Sequence, residues 1–578
     1  MKRPNVILIV TDDQGYYDVG CNGNPYINTP NLDELYNEAI HCEDYHTDPM
    51  CAPTRAGILT GKYSMRVGVW STLNGRYYLN KEARTMADYF KEGGYATGIF
   101  GKWHMGDNYP YRASDRGFDR VVSFGGGVVG ETPDYWDNDY FDDSYEKDGK
   151  LTKYEGYCTD VWFDETIEFI KENKDKQFFC YLPTNAPHDP YNIDPSYKAE
   201  YLKQGLSDRI SGFYGMITNV DENIGRLQTE LKNLGILEDT IIVFMGDNGS
   251  SGVVTDPNGW VTEGYNGNMR GKKGQVYEGS HKNNCFIKWP NGNLGKSRSV
   301  YGLTSQIDLL PTLLDCCNIP NNKDDFDGIS MYEELVRGEE HINKDRQLVI
   351  HCMQLDYLEK YKDFTVLTDR YRFIKTKNDG IDNMMIFDMQ EDYSQKNNIA
   401  LQNSDMINEF MRTYDEWWED ISHNGQMDYS YINIGHDNEE VKLTCHSWHG
   451  NNNMAYSQVN VREGIKGSGY WTLECESSGE YQIELRRWPK EIDIPIKESV
   501  VAIPKNERTH ERPTGKVYNV QKAMVSVDKN NLIQEVVDNA TSVKFNVHIN
   551  EGKMRLQTWF LCEDNECLGA YYVYIKKL

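Results

Sequence analysis

Residues 5–13 read NVILIVTDD: five apolar residues, Val6 to Val10, run almost directly into a pair of acids, Asp12 and Asp13. A short apolar run rich in β-branched residues and closed by polar ones reads as a strand buried on both faces. Three more runs have the same form. YATGIF ends at Phe100, FFCYL at Leu182 and IIVFM at Met245. Amphipathic segments such as TPNLDELYNEAI (29–40) and DRISGFYGMITNVDENIGRLQTELKNLG (208–235) lie between them. Strands alternating with helices imply a mostly parallel sheet with helices on both faces, an α/β fold.

Each run is followed by unusual polar residues: Asp12 and Asp13, then Lys102 and His104, then His188, then Asp247 and Asn248. In open α/β sheets, ligands bind beyond the carboxyl ends of the strands. Four strands therefore aim chemistry at one place. Any one of these groups alone would be a solvated turn, a helix cap or a structural histidine; their convergence carries the argument.

The pattern changes near residue 430. MINEFMRTYDEWWEDI (406–421) is a helix expected to pack through its Trp pair. Beyond it, EVKLTCHSW, GYWTLECES, GEYQIELRRW, SVKFNVHI, MRLQTWFL and AYYVYIKKL alternate as half-buried strands separated by Gly-, Asn- and Asp-rich turns. This predicts a catalytic domain over 1–430, with a smaller subdomain near 346–430, and an all-β, sandwich-like module over 431–578. The join has no Pro/Ser or Gly/Ser run, so the module is expected to pack firmly on the catalytic domain.

The 578 residues include 89 acidic and 61 basic ones, a net charge of -28. That balance excludes general binding to nucleic acid or anionic membranes, and an anionic substrate would need a local cluster of cations. The 13 cysteines show no disulfide framework. No apolar run approaches a membrane span. The start, MKRPNVILIV, has the charge of a secretory leader but too short an apolar stretch. The expectation is a periplasmic or secreted protein whose leader has been removed, with the cytoplasm as the alternative.

Cys51 lies in PMCAPTRAGILTG (49–61), where Pro53 suits the first turn of a helix. Cys51 would sit at the helix N-terminus, where negative charge is favoured. The pattern C-x-P-x-R followed by an apolar pair and T-G resembles the maturation signature of the formylglycine-dependent sulfatases. GYATGIFGKWHMG (94–106) resembles their second signature, G-Y-x-T-x-x-x-G-K-x-x-x-G. The resemblance spans about residues 3–425. It implies an alkaline-phosphatase-like α/β fold and hydrolysis of sulfate esters, with Cys51 oxidised to formylglycine by a separate maturase. Asp12, Asp13, Asp247 and Asn248 are then the metal ligands, hard oxygen donors that suit calcium. Arg55, Lys102 and Lys273, the last in GKKGQVYEG, form a cationic clamp. His188 protonates the leaving alcohol and His104 serves release of sulfate from a covalent intermediate on the formylglycine hydrate. After Y-E-G the family often continues with Gly, Arg and Pro, whereas this chain reads Ser280, His281, Lys282. His281 or Lys282 is therefore expected to face the substrate.

The β-module and the segment HCMQLDYLEKYKDFTVLTDRYRFIK (351–375) resemble parts of bacterial polysaccharide sulfatases, which implies a sulfated sugar as substrate. Trp70, Trp136, Trp260, His351 and Gln354 are the candidate sugar contacts. Two other readings are open: a phosphonate or phosphodiester hydrolase of the same superfamily, and a silent glycan-binding relative.

Overall fold

The strand Asn5–Thr11 lies at the centre of a ten-stranded mixed sheet. Its neighbours, Thr240–Gly246 on one side and Phe178–Pro183 on the other, run parallel to it, as does Ala96–Lys102 beyond the latter. These are the four apolar runs of the sequence, side by side. The structure, a computed structural model, describes residues 3–378, 381–422, 430–450, 454–528, 530–563 and 567–578.

Alternation along the central strand explains both layers. Val6, Leu8 and Val10 join one apolar core with Ala56, Phe90 and Leu310. Ile7 and Ile9 join another with Trp162, Phe169 and Ile217. Successive side chains of a strand point to opposite faces, so a strand covered on both sides must be apolar throughout. The helix Asp208–Asn233 packs beside Cys158–Asn173 and Pro30–Glu38 on one side. Cys51–Thr60 packs with Met86–Glu92 and Leu309–Cys316 on the other. The sheet is parallel through its centre and mixed toward its edges, where Arg298–Val300 runs parallel to Ile40–Cys42. Cys285–Lys288 joins Thr240–Gly246 antiparallel, and the hairpin Ser144–Lys147/Lys150–Lys153 closes the far edge.

Leu348–His351, Phe364–Leu367, Tyr371–Asn378 and Ile381–Asp388 form a separate antiparallel sheet. The helix Ser404–Ser422 buries Phe410, Tyr414, Trp418 and Ile421, one stripe at helical spacing. Residues 423–429, just before the expected domain boundary, lie outside the described residues.

Beyond residue 430 the chain builds two further sheets. One holds Ile432–Ile434, Tyr470–Cys475, Gly552–Cys562, Val520–Val527 and Asn530–Glu535; the other holds Val441–Thr444, Tyr572–Lys577, Gly479–Arg486 and Val543–Ile549. All six strand segments read from the sequence are present. The hairpin formed by Val520–Val527 and Asn530–Glu535 was not expected. All six residues of Asn530–Glu535 are exposed, so this edge strand has no buried face to impose alternation. Cys445–Ser447 leaves its strand as a 3-10 turn.

The β-region does not hang from a tether. Trp448, Leu443 and Ile432 belong to the same continuous apolar core as Val6, Ala52 and Tyr78. Arg462 pairs with Asp137 at 2.6 Å, and Arg112 with Glu439 at 2.7 Å. The Ser447 hydroxyl meets those of Tyr77 and Tyr78 at 2.7 and 3.0 Å. Among the described residues, no helix is long and apolar enough to cross a membrane.

Candidate active site

Register brings the first four polar groups together. Thr11 is paired with Gly246, so Asp12–Asp13 and Asp247–Asn248 leave neighbouring strands at the same level. The Asp13 amide donates to Asp247 Oδ1 at 3.0 Å, and Asn248 Nδ2 donates to Asp13 Oδ1 at 2.9 Å. Asp13 adopts φ 72°, a left-handed conformation rare for a non-glycine residue and common at functional sites. All four side chains are fully buried.

Three cations balance this acidic floor. Lys102 Nζ donates to Asp12 Oδ2 at 2.7 Å, Arg55 Nη2 to Asp247 Oδ2 at 2.7 Å, and Lys273 Nζ to Asp13 Oδ2 at 2.8 Å. Burial opposes the charge on Asp12 and Asp13, yet Lys102, Lys273 and His188 hold both below the usual carboxylate range. Asp247 goes the other way: burial and the nearby Asp12 push it up to about 6. Two oxygens stay unsatisfied. Asp12 Oδ1 and Asn248 Oδ1 are sealed from solvent and have no hydrogen-bond partner among the described residues. Buried polar atoms are normally paired, so this donor set of hard oxygens fits a cation such as calcium.

Cys51 opens a helix in which every residue from Cys51 to Thr60 is buried, and no side chain caps it. The amides of Cys51 and Ala52 in its first turn therefore have no helical partner. Arg55 lies one turn on, which brings both residues to one face. Cys51 Sγ, Asp12 and Asp247 offer atoms that all lie within 4.8 Å of one another. Burial lifts the Cys51 thiol above its usual value, against the pull of Lys102 and Lys273. His104 Nδ1 lies 3.3 Å from Cys51 Sγ, and its Nε2 lies 3.1 Å from the carbonyl of Thr72. That carbonyl can only accept, so Nε2 carries the proton and Nδ1 faces Cys51 as an acceptor. Burial, reinforced by Lys102, holds this imidazole well below its usual value and so neutral. His188 Nε2 lies 2.8 Å from Lys273 Nζ, and its Nδ1 faces the carbonyl of Asp189 at 2.7 Å.

Two glycines explain the second motif and a loop beyond it. A Cβ on Gly101, at φ 123°, would stand 2.1 Å from the carbonyl oxygen of Pro183 on the neighbouring strand. A Cβ on Gly127 would strike the His104 ring at 2.4 Å. The amide of Gly127 donates to Glu131 Oε2 at 2.5 Å, and that oxygen lies 2.9 Å from His446 Nε2. His446 belongs to the β-region, so that region braces the loop against which His104 rests.

A cavity of about 550 Å³ opens over Cys51, His104, His188 and Lys273. Its far wall comes from two segments that sequence reading missed: Tyr456–Glu463 and His510–Arg512. Neither carries a motif, and both are loop or short-helix residues placed only by the packing of the β-region.

The expected sugar contacts are not brought to this cavity. His281 is fully buried, with its Nδ1 3.0 Å from His46 Nδ1, and burial and His46 push it down to about 3. The short helix Glu278–His281 turns it inward. Lys282 leans over the Tyr16 ring. His351 is enclosed by the rings of Tyr414, Trp417 and Trp418. Trp136 packs edge-on against Trp488 at 5.7 Å, and Trp70 is buried with its indole N–H on the carbonyl of Leu355. Trp260 stacks with Arg270. Gln354 acts from behind the wall: its Oε1 accepts from the hydroxyls of Ser71 and Thr72, beside the carbonyl that meets His104. In most of these cases a large ring found more stabilisation in packing than in an open pocket.

Residues 4–319 match the family described as Sulfatase, and residues 271–417 match N-sulphoglucosamine sulphohydrolase, C-terminal. The chain is 27% identical over 369 residues to N-acetylgalactosamine-6-sulfatase of Mus musculus, covering 58% of this chain and 67% of that protein. It is 28% identical over 363 residues to human arylsulfatase A, covering 57% and 67%. The alignments thus span about two thirds of these relatives. Among solved structures, Ps i-CgsB in complex with k-i-k-neocarrahexaose superposes with a TM-score of 0.64 at 26% identity, covering 74% of this chain and 95% of that one. With more than half its length matched and the motif residues gathered at one set of strand ends, this chain belongs to the sulfatase family, the hydrolases of sulfuric esters.

Proposed function

We propose that the enzyme hydrolyses sulfate monoesters on a carbohydrate, using a formylglycine made from Cys51 and calcium held by Asp12, Asp13, Asp247 and Asn248. The observation that carries this reading is the meeting of Cys51, at the open end of a sealed helix, with these four oxygen donors, two of whose oxygens lack a partner. Calcium there would supply a fixed positive charge beside the sulfate oxygens. A formyl group at position 51 would supply, as its hydrate, one hydroxyl to attack sulfur and a second whose deprotonation restores the aldehyde. The unmodified thiol is a poor candidate for either task, because burial raises its pKa.

The remaining roles fall to groups already in place. Arg55, Lys102 and Lys273 offer positive charge where the sulfate would sit, and charge fixed in a dry site stabilises a developing anion better than mobile water does. His188 commits Nδ1 to a carbonyl and turns Nε2 to the Lys273 ammonium at the pocket floor, and a proton held by this His188–Lys273 pair can pass to the leaving alcohol. His104, neutral with Nδ1 as acceptor, can take a proton from the group at position 51. The relatives support a sugar substrate: one is named N-acetylgalactosamine-6-sulfatase, and one solved structure holds k-i-k-neocarrahexaose.

Mass spectrometry of the peptide containing Cys51, after co-expression with a maturase, should show loss of sulfur and gain of oxygen. Chelation should abolish activity, and added calcium should restore it. Desulfation of a panel of sulfated oligosaccharides, read by NMR, would identify the sugar and the position. Full activity from an enzyme whose Cys51 remains a thiol would overturn the proposal.

A further inference from the structure

The far wall of the cavity differs in charge from its floor. Each cation that lines the cavity is already matched. Lys273 is held by Asp13 at 2.8 Å, Arg462 by Asp137 at 2.6 Å and Arg512 by Asp139 at 2.7 Å. Both arginines also donate to backbone carbonyls: Arg462 to those of Val501 and Pro513, and Arg512 to that of Asp137. The exposed carboxylates are not matched in this way. Glu463 and Glu511 line the cavity, are exposed, and have no cation partner among the described residues. Among the described residues the Asp189 carboxylate meets only His188, at 3.2 Å. Tyr456, 40% exposed, stands among them. Burial, then Glu131 and Asp189, raise its phenol above the usual value, so the hydroxyl stays neutral.

A second anion in this outer space would find no free cation among the described lining residues and would face carboxylates whose repulsion physiological salt screens only in part at such short range. A neutral sugar meets the opposite situation. Its hydroxyls can donate to Glu463 and Glu511, and its apolar face can rest on Tyr456 and Val459. Resting on the carbohydrate-sulfatase reading, we infer that the outer half of the cavity takes an uncharged, hydroxyl-bearing sugar next to the sulfated one, and that Glu463 and Glu511 disfavour a neighbour carrying a carboxylate or a second sulfate. Tyr456, Val459, Glu463 and Glu511 all lie beyond residue 417, where the family matches end. The selectivity is thus carried by a region that those matches do not cover. Discrimination through like-charge repulsion needs no new contact to the favoured substrate.

The test compares two oligosaccharides with the same sulfated sugar, one with a neutral neighbour and one whose neighbour carries a uronic carboxylate or a second sulfate. For the full-length, matured enzyme, kcat/KM should favour the neutral neighbour by about tenfold or more at low salt. The ratio should shrink as salt is raised. In the doubly substituted E463Q/E511Q enzyme the ratio should fall several-fold, mainly through a lower KM for the charged substrate. Equal or better turnover of the charged substrate by wild type, or a ratio unmoved by both salt and E463Q/E511Q, would overturn the inference. An aryl sulfate assayed alongside separates the two levels of the argument. If it is cleaved while discrimination is absent, only this inference fails; if no sulfate ester is cleaved, the catalytic reading fails with it.

Discussion

At the floor of the cavity, Asp12, Asp13, Asp247, Asn248, Arg55 and Lys102 are fully buried and hold one another in short polar contacts. At the far wall, Tyr456, Val459, Glu463, His510 and Glu511 are exposed, and they sit on loops and one short helix brought in by the β-region. The floor is built at the ends of adjacent parallel strands, where backbone register fixes each side chain to a fraction of a residue. The wall is built from segments with no such register. On the reading proposed above, the capacity for chemistry and the choice of substrate reside in separate parts of the molecule. The charges of the floor cannot be moved without leaving others unpaired, whereas the exposed groups of the wall carry no such constraint.

The largest effect should come from breaking the floor. Asp247→Ala should remove activity by about a thousandfold or more, the scale of losing a preorganised charge in a site. It should also lower stability by about 3–5 kcal/mol, because Arg55 would keep a buried charge without its closest partner. Activity assays and thermal unfolding would read both; an Asp247→Ala enzyme with full activity would sink the metal assignment.

Next in size is removal of the wall together with its support. Truncation at about residue 430 strips the continuous core of Trp448, Leu443 and Ile432 and exposes the apolar surface beneath. The truncated chain should be insoluble or unfold at markedly lower temperature. The isolated region from 431 should bind polysaccharide weakly or not at all. A soluble truncation with unchanged Tm and unchanged activity on its oligosaccharide would refute the supporting role.

The two histidines sharpen the comparison within the site. His188→Ala should cost about 10²–10⁴ on a sugar sulfate and far less on an aryl sulfate, since an aryl oxide leaves with little protonation. An equal loss on both substrates would count against proton donation. His104→Ala should instead leave a burst of the first product followed by slow turnover.

The smallest effect tests the brace between the regions. Burial opposes both charges, yet Glu131 raises the pKa of His446, and His446 lowers that of Glu131. A raised histidine contributes stability that is full below its unfolded value and is lost as pH rises through the folded one. A lowered glutamate contributes above its unfolded value, and that contribution is lost as pH falls through the folded one. The pair is therefore worth most between the ordinary carboxylate value and a point above the ordinary imidazole value. Wild type should lose a small increment of Tm as pH rises past that point, and Glu131→Gln should flatten the decline. Identical pH profiles would show that the pair adds nothing.

Much of the floor was legible in the sequence. An apolar run that ends in NVILIVTDD, another in GKWH and a third in MGDN announce strand ends with chemistry attached. The reason is local: a strand buried on both faces must be continuously apolar, and polar residues placed at its end cannot be core. The six alternating segments beyond residue 430 were legible by the same logic, while the exposed strand Asn530–Glu535 was not, since nothing is buried there to pattern it. What only the tertiary structure decided is which aromatic and imidazole side chains face the cavity. His281, His351, Trp136 and Trp260 have the chemistry of sugar contacts but were drawn into packing or stacking elsewhere. Tyr456, Glu463 and Glu511 look like ordinary loop residues and became a wall. Register along a strand is written in neighbouring residues, whereas the docking of two regions depends on contacts more than three hundred residues apart, such as Glu131 with His446, and no local pattern records them.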